Sequence, residues 1–148
     1  MKKPFKNDNG AFEYNKKPEE KLGNDFRRRE ILGLNDFADL NAFKEWYHNQ
    51  EKVCYFCGLK EEDCQEIVIT GVLKSRRFPQ DGKSTRGRSR GVWLEIDRLD
   101  PTKKYSPENC KLCCYFCNND KSDVFHGEDY KAFIKDRVKF LREKLTQK

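Results

Sequence analysis

Long hydrophobic runs are absent from this sequence. Residues 1–20 are dominated by Lys, Asn, Glu and Pro, so the beginning of the chain offers no stretch suited to a signal peptide or a membrane span. We therefore expect a cytoplasmic protein with no membrane partner, in a compartment that keeps thiols reduced. In that setting, paired cysteines are better interpreted as metal ligands than as disulfides.

Hydrophobic residues are also scarce. They make up 36% of the 148 residues, which suffices for one modest domain with a thin core. Such a core needs a further source of stability, and the seven cysteines are candidates for it. The formal net charge of +6 favours a polyanionic partner, because clustered Lys and Arg release counterions when they contact phosphates.

The chain is predicted to consist of a short arm followed by a single domain. Residues 1–25 mix charges with Pro and Gly and have no sustained apolar period, which is typical of a mobile basic arm. Residues 26–148 form the domain. It is predicted to contain a helical lead-in at 26–50, a metal-bound core at 54–125 and a C-terminal helix at 127–145.

Apolar residues return at helical spacing in the lead-in. The pattern is interrupted at residues 33–35, so we expect two helices, the second capped by Asp39 or Asn41. The apolar stripe of this segment is interpreted as core, and it comprises Phe37, Leu40, Phe43, Trp46 and Tyr47.

The cysteines include two Cys-x-x-Cys pairs, Cys54/Cys57 and Cys114/Cys117. Two such pairs supply the four thiolates of a tetrahedral zinc site, which would tie distant segments together. Cys110 and Cys113 form a competing pair, so spacing alone leaves the register open. Cys64 is left over, either as a small core residue or as a ligand of a less regular site.

Residues 74–90 read KSRRFPQDGKSTRGRSR and contain a single acid, Asp81. A flexible basic segment of this kind can place guanidinium groups along phosphates or in a groove. The alternative is a solvated loop with no partner. The nucleic-acid contacts predicted from it are Arg76, Arg77, Lys83, Arg86, Arg88 and Arg90.

A strand is predicted directly after the basic segment. Apolar and polar residues alternate from Val92 to Arg98, and Asp100-Pro101 then favours a turn. A second strand is expected at 111–113 and a short helix from Cys114 to Lys121. The order strand, strand, helix defines a ββα unit.

From Cys54 to about Phe125 the sequence resembles the HNH (ββα-metal) endonucleases, in the variant with Asp-Arg at the first motif position. HNH restriction endonucleases and phage or bacterial HNH proteins include this variant. The matching segments are CYFCG at 54–58, EIDR at 95–98, YSPEN at 105–109 and CYFCNNDKS at 114–122.

The resemblance implies an α+β fold, in which a ββα-metal core with a four-cysteine zinc site is flanked by N-terminal and C-terminal helices. The family has an Asn five positions before the last Cys-x-x-Cys, and Asn109 has that position relative to Cys114. The resemblance thus selects Cys114/Cys117 as the zinc pair. It also implies that Asp97 and Asn118 hold a catalytic divalent ion such as Mg²⁺, and that Asn109 fixes the loop between the strands.

Arg98 stands where the commoner HNH pattern has a His that acts as general base. Arginine cannot accept the proton, because its pKa stays above about 12 and it offers no acceptor. Arg98 is therefore interpreted as a phosphate clamp. The base is left open among His48, His126, Tyr105, Glu95 and a substrate phosphate.

The function predicted from these residues is metal-dependent hydrolysis of DNA phosphodiester bonds by a restriction or phage-defence nuclease. A homing enzyme is less favoured, since the sequence has no obvious separate DNA-binding domain. One ββα unit cuts one strand, so double-strand cleavage calls for a homodimer or sequential nicks. The rival hypothesis is a non-catalytic zinc-ribbon module that binds nucleic acid through residues 74–90.

The basic segment yields the first testable prediction. Neutralising Arg86, Arg88 and Arg90 together should weaken DNA binding and reduce its salt dependence, by a log–log slope of about 0.9 for each phosphate that the protein no longer neutralises. The measurement is DNA affinity over a salt series. Unchanged affinity and slope would identify the segment as a solvated loop.

Overall fold

The computed structural model describes residues 19–79 and 86–147 and has an α+β architecture. A two-stranded antiparallel sheet has three helices before it and three after it in the described sequence. The two strands and the helix that follows them form the predicted ββα unit. The described elements are α1 (Glu19–Ile31), α2 (Leu40–Asn49), α3 (Glu61–Thr70), β1 (Glu95–Arg98), β2 (Cys110–Cys113), α4 (Tyr115–Lys121), α5 (Gly127–Phe133) and α6 (Lys135–Thr146).

The first strand is shorter than predicted. The alternating pattern begins at Val92, but β1 begins at Glu95, which lies opposite Cys113 at the end of β2. The chain leaves β2 at this point to enter α4, so residues 92–94 have no partner strand among the described residues. The backbone N–H of Leu94 instead donates to the buried carboxylate of Glu61, at 2.9 Å.

The helix of the ββα unit is joined to both strands at its two ends. Cys114 caps its N-terminus, with its Sγ accepting from the backbone N–H of Cys117 at 3.4 Å. At the other end the Nζ of Lys121, a fully buried residue, donates to the backbone oxygen of Arg98 at 3.0 Å. The helix is thereby held against the end of β1.

The predicted arm extends less far than residue 25. Residues 19–25 form the first turns of α1, because Leu22 is fully buried and Glu19 pairs with α2. Its carboxylate lies 3.1 Å from Lys44 and 2.6 Å from His48. The remainder of the predicted arm, residues 1–18, lies outside the described residues.

The second helix of the lead-in begins as expected. Asp39 is its N-cap, and the side-chain carboxylate accepts from the backbone N–H of Ala42 at 2.7 Å. The aromatic stripe packs as core, with the Phe37 ring centroid 5.2 Å from that of Phe43 and 5.5 Å from that of Trp46.

The predicted C-terminal helix is two helices, separated at Ile134. This residue is buried, and its backbone (φ −89°, ψ 11°) lies outside both α5 and α6. In α5 the fully buried Tyr130 packs edge-on against Phe56 at 5.2 Å, whereas α6 lies against α3. A single straight helix could not make both contacts. No helix of the described residues has the length and apolar character needed to cross a membrane.

A matched pair of glycines tests the packing around the start of β1. Gly91 and Gly33 both have positive φ, at +97° and +70°, but an added Cβ would lie 2.8 Å from the Phe78 ring at Gly91 and would meet nothing within 4 Å at Gly33. Gly33→Ala should lower the free energy of unfolding by about 1–2 kcal/mol, the cost of the left-handed conformation. Gly91→Ala should cost about 1–3 kcal/mol more, through overpacking. Urea denaturation measures both, and equal losses would contradict this account of the packing.

Candidate active site and cysteine cluster

Four buried cysteines converge on one point. Cys54 and Cys57 come from the turn after α2, and Cys114 and Cys117 from the start of α4; their sulfurs all lie within 4.8 Å of one another. The sulfurs of Cys57 and Cys114 are 3.7 Å apart. Four thiolates at about 2.3 Å from a tetrahedral zinc ion would be separated by about 3.8 Å, so the cluster fits zinc.

The first cysteine pair is held by its own turn and by β2. The backbone N–H of Gly58 donates to the oxygen of Cys54 at 3.0 Å, and Gly58 has φ +76°, which glycine adopts without strain. The backbone N–H of Tyr55 donates to the oxygen of Leu112 in β2 at 2.9 Å. The turn is therefore fixed to the same strand that leads into the second pair.

The other three cysteines are buried outside the cluster. Cys64, Cys110 and Cys113 are not among the four clustered residues, and none of the cysteines is in a disulfide. Burial raises the pKa of the Cys110 thiol to about 12. Of the two registers that spacing allows, the structure clusters Cys114/Cys117 with the first pair.

A small cleft lies at the junction of β1 and α4. Its volume is about 180 Å³, and its lining includes Asp97, Arg98, Tyr105 and Asn118. Asn118 uses its amide Nδ2 to donate to Glu95 at 2.8 Å, which leaves the carbonyl oxygen as a candidate metal ligand. The structure thus brings together the two predicted ligands of a divalent ion.

Asp97 is buried beside a buried cation. Lys121 Nζ lies 3.1 Å from Asp97 Oδ2, but the contact lacks hydrogen-bond geometry and Oδ2 accepts no hydrogen bond from the described residues. Burial raises the pKa of Asp97, and the nearby Lys121 opposes that rise. Asp97 and Lys121 thus form a buried ion pair, and a carboxylate oxygen is a ligand that a hard divalent cation prefers.

Arg98 lies at the edge of the same cleft. Its guanidinium carbon is 4.9 Å from the centroid of the Tyr105 ring, and Nη1 donates to the backbone oxygen of Lys103 at 3.1 Å. The side chain is only partly buried. Arginine at this position can offer further N–H groups to an anion in the cleft.

Asn109 holds the loop between the two strands. Its Nδ2 donates to the backbone oxygens of Asp100 and Lys104, both at 3.0 Å, and its Oδ1 accepts from the N–H of Asp100 at 2.9 Å. The side chain therefore spans the loop instead of reaching into the cleft. Its effect on the site is to fix where β1 ends.

The predicted basic contacts differ in their surroundings. Arg76, Arg77 and Arg86 are exposed, Arg88 is partly buried, and Lys83 lies outside the described residues. Arg90 already has partners within the protein. Its Nε donates to Glu95 at 2.9 Å and its Nη2 donates to the same carboxylate, while its guanidinium carbon lies 4.6 Å from the centroid of the Tyr115 ring. Arg90 thus contributes to the scaffold of the cleft.

Two of the four protein residues considered as general base lie at the ββα unit, and the other two lie elsewhere. Glu95 and Tyr105 line the clefts at the ββα unit, whereas His48 pairs with Glu19 and His126 caps α5. Glu95 accepts hydrogen bonds from both Arg90 and Asn118, which marks it as the residue that orients Asn118.

Two buried cations at the site were missed by sequence reasoning. Lys121 lies inside the motif segment at 114–122, but its burial beside Asp97 depends on how α4 packs. Arg29 of α1 lies far from the motifs in sequence and gave no local signal, yet it lines a cleft together with Asn118 and Glu95.

The fold and the cysteine cluster define an HNH-type ββα architecture with a candidate zinc site. Among solved structures, the chain is similar to the rare-cutting HNH restriction endonuclease PacI, with a TM-score of 0.64, 20% sequence identity, and coverage of 90% of this chain and 86% of that chain. No family model and no curated protein matches the sequence. At this identity the similarity establishes the fold.

The cysteine cluster yields a stability prediction. Cys114→Ser should release the metal and unfold the chain, since structural zinc contributes roughly 10 kcal/mol or more of apparent binding free energy in small domains. Cys110→Ser, a buried cysteine outside the cluster, is the matched control and should keep its zinc. Metal analysis and thermal melting check both variants; a Cys114→Ser chain with normal zinc content and melting would contradict the zinc assignment.

Proposed function

We propose that this protein is a metal-dependent endonuclease that hydrolyses the DNA backbone. The main support for this proposal is a cleft lined by Asp97, Asn118 and Arg98. The cleft lies on a fold similar to that of an HNH restriction endonuclease. The cysteine cluster would hold structural zinc, and Asp97 and Asn118 would hold Mg²⁺ or a similar ion.

Each residue of the cleft has a distinct proposed role. Asp97 supplies a carboxylate oxygen and Asn118 a carbonyl oxygen, and Glu95 keeps the amide of Asn118 in that orientation. The divalent ion, when bound, would stabilise the charge that develops on the scissile phosphate and on the leaving 3′-oxygen. Arg98 binds a non-bridging phosphate oxygen through its free N–H groups.

The charges at the cleft balance before a metal binds: Asp97 and Asp123 of the lining oppose Arg98, together with Lys121 beside Asp97. A divalent ion would add the positive charge that an anionic substrate needs. DNA is the proposed substrate because the similar solved structure is that of a DNA-cutting restriction endonuclease. A restriction or phage-defence role follows from the same similarity, and cleavage of both strands would take a homodimer or two successive nicks.

The rival hypothesis is a non-catalytic zinc module that binds nucleic acid. In that hypothesis Asp97 and Asn118 have only structural roles, so changing them would alter the stability of the protein and not the rate of a reaction. The cleft that Asp97 and Asn118 line together with Arg98 favours the catalytic proposal.

The catalytic proposal predicts that Asp97→Asn and Asn118→Ala abolish plasmid cleavage. Each should lower the rate by at least about 100-fold, the size of effect expected when one electrostatic interaction with a transition state is removed, while DNA affinity and zinc content stay near wild type. Asp97→Asn is preferred to Asp97→Ala, because asparagine keeps a side-chain oxygen beside the buried Lys121 and alanine does not.

The neighbouring Asn119, which is exposed, provides the matched control: Asn119→Ala should cleave at the wild-type rate. The assay is nicking of supercoiled plasmid by protein freed of contaminating nuclease. Wild-type cleavage by Asp97→Asn would place the metal elsewhere and remove this proposal.

Arg98 provides a separate prediction about charge geometry. Arg98→Lys should leave reduced but measurable cleavage, because a point charge replaces a planar fork, and Arg98→Ala should lose far more. The same plasmid assay measures both variants. Equal rates in the two variants would mean that the charge of Arg98 does not act on the phosphate.

A further inference from the structure

A larger cleft adjoins the proposed metal site. Its volume is about 390 Å³, and it shares Ile96, Tyr105 and Asn118 with the smaller cleft. One wall is α1, a helix outside the ββα unit, and the other is formed by the end of the basic segment and β1. The wall residues from α1 are Lys21, Asp25, Arg28 and Arg29, and those opposite are Ser89, Arg90 and Glu95.

Arg29 is the unusual residue of this cleft. Its side chain is buried, with 7% of the residue exposed, and its Nε and Nη1 donate to no group among the described residues. Buried donors of native proteins nearly always have a partner, and an unpaired guanidinium is costlier than an unpaired neutral group. A buried cation with two unpartnered nitrogens, in the wall of a cleft, indicates a site for an anion.

The Arg29 guanidinium lies against two aromatic rings. Its carbon lies 4.0 Å from the Tyr105 ring centroid and 5.7 Å from that of Phe43. The guanidinium carbon of Arg98 lies 4.9 Å from the centroid of the same Tyr105 ring. One ring thus positions two arginines, one from the ββα unit and one from α1, and it lines both clefts.

The other charges of the cleft leave Arg29 as the buried cation open to a ligand. Arg90 is neutralised by its two hydrogen bonds to Glu95. Arg28 is exposed, and Lys21 makes a long contact of 3.5 Å with Ser89 and lies 5.4 Å from the centroid of the Trp93 ring. Asp25 is the remaining acid of the lining, opposed by Lys21, Arg28 and Arg29.

We propose that Arg29 binds a backbone phosphate of the DNA strand, next to the phosphate that is cut, so that α1 forms part of the nuclease site. This inference rests on the proposed function. The continuity of the two clefts lets one strand occupy both, with the scissile phosphate near Asp97 and a flanking phosphate at Arg29. The planar fork of arginine matches two phosphate oxygens, and its charge lies in the wall of the cleft.

The experiment compares Arg29→Met with Arg27→Met in the full, zinc-loaded chain. Arg27 is the control because it is exposed on the same helix and does not line the cleft. DNA affinity is measured over a salt series without added divalent ion, and cleavage is measured with Mg²⁺. Arg29→Met should reduce the log–log salt slope by about 0.9 and slow cleavage at least about tenfold, whereas Arg27→Met should change neither.

If Arg29 has only a structural role, the expected results are the opposite. Arg29→Met would then lower the melting temperature and leave the salt slope of the folded protein unchanged, and that result would overturn the inference. If Arg29→Met fails to fold, Arg29→Lys carries the test: it should keep the salt slope and bind DNA about tenfold more weakly, because the charge remains and the bidentate fork is absent. Wild-type affinity in Arg29→Lys would equally overturn it.

The two proposals fail in different ways. A wild-type chain that binds DNA without cutting it would remove the proposed nuclease function, and the salt slope of Arg29→Met would still decide whether Arg29 contacts a phosphate. A wild-type chain that cuts DNA, with an Arg29→Met variant that matches it in slope and rate, would remove only the phosphate site at Arg29.

Discussion

The structure depends on the convergence of four cysteine sulfurs. With 36% hydrophobic residues the chain has little core, whereas a zinc ion at this cluster would contribute roughly 10 kcal/mol or more, comparable with the whole stability of a typical domain. The cluster also fixes the geometry of the candidate site. Cys117 is followed at once by Asn118, so the contact that fixes the start of α4 fixes a proposed ligand of the catalytic ion. Scaffold and candidate chemistry are therefore inseparable in this fold.

Near the cysteine cluster, buried and partly buried charged side chains fix one another's positions. Arg90 holds Glu95, Glu95 holds the amide of Asn118, and Lys121 lies between Asp97 and the backbone of Arg98. In a site withdrawn from water such contacts keep side chains oriented before substrate arrives, which is how preorganised electrostatics lowers a barrier. Residues outside the motifs thereby decide where the motif residues point.

The sequence predicted those features that local spacing controls. Cys-x-x-Cys pairs, the alternation before Asp97 and the Asp39 cap are short-range patterns, and the ββα order and the cysteine cluster are confirmed. Features decided by tertiary partners were missed. β1 begins late because β2 ends at Cys113, and the C-terminal helix divides at Ile134 because its halves pack on different neighbours. Arg29 could not be found, since only folding brings α1 beside Asn118.

In the proposed function, the folded, zinc-bearing chain cuts DNA through a second, exchangeable metal ion. The direct measurement is cleavage of supercoiled plasmid by purified protein, first with a chelator and then with Mg²⁺ restored, with the zinc content followed throughout. Cleavage should stop when the weakly held ion is removed and return with Mg²⁺ alone, while about one zinc per chain stays bound. Cleavage that persists without a divalent ion, or no cleavage by a folded, zinc-loaded chain with any divalent ion, would contradict it.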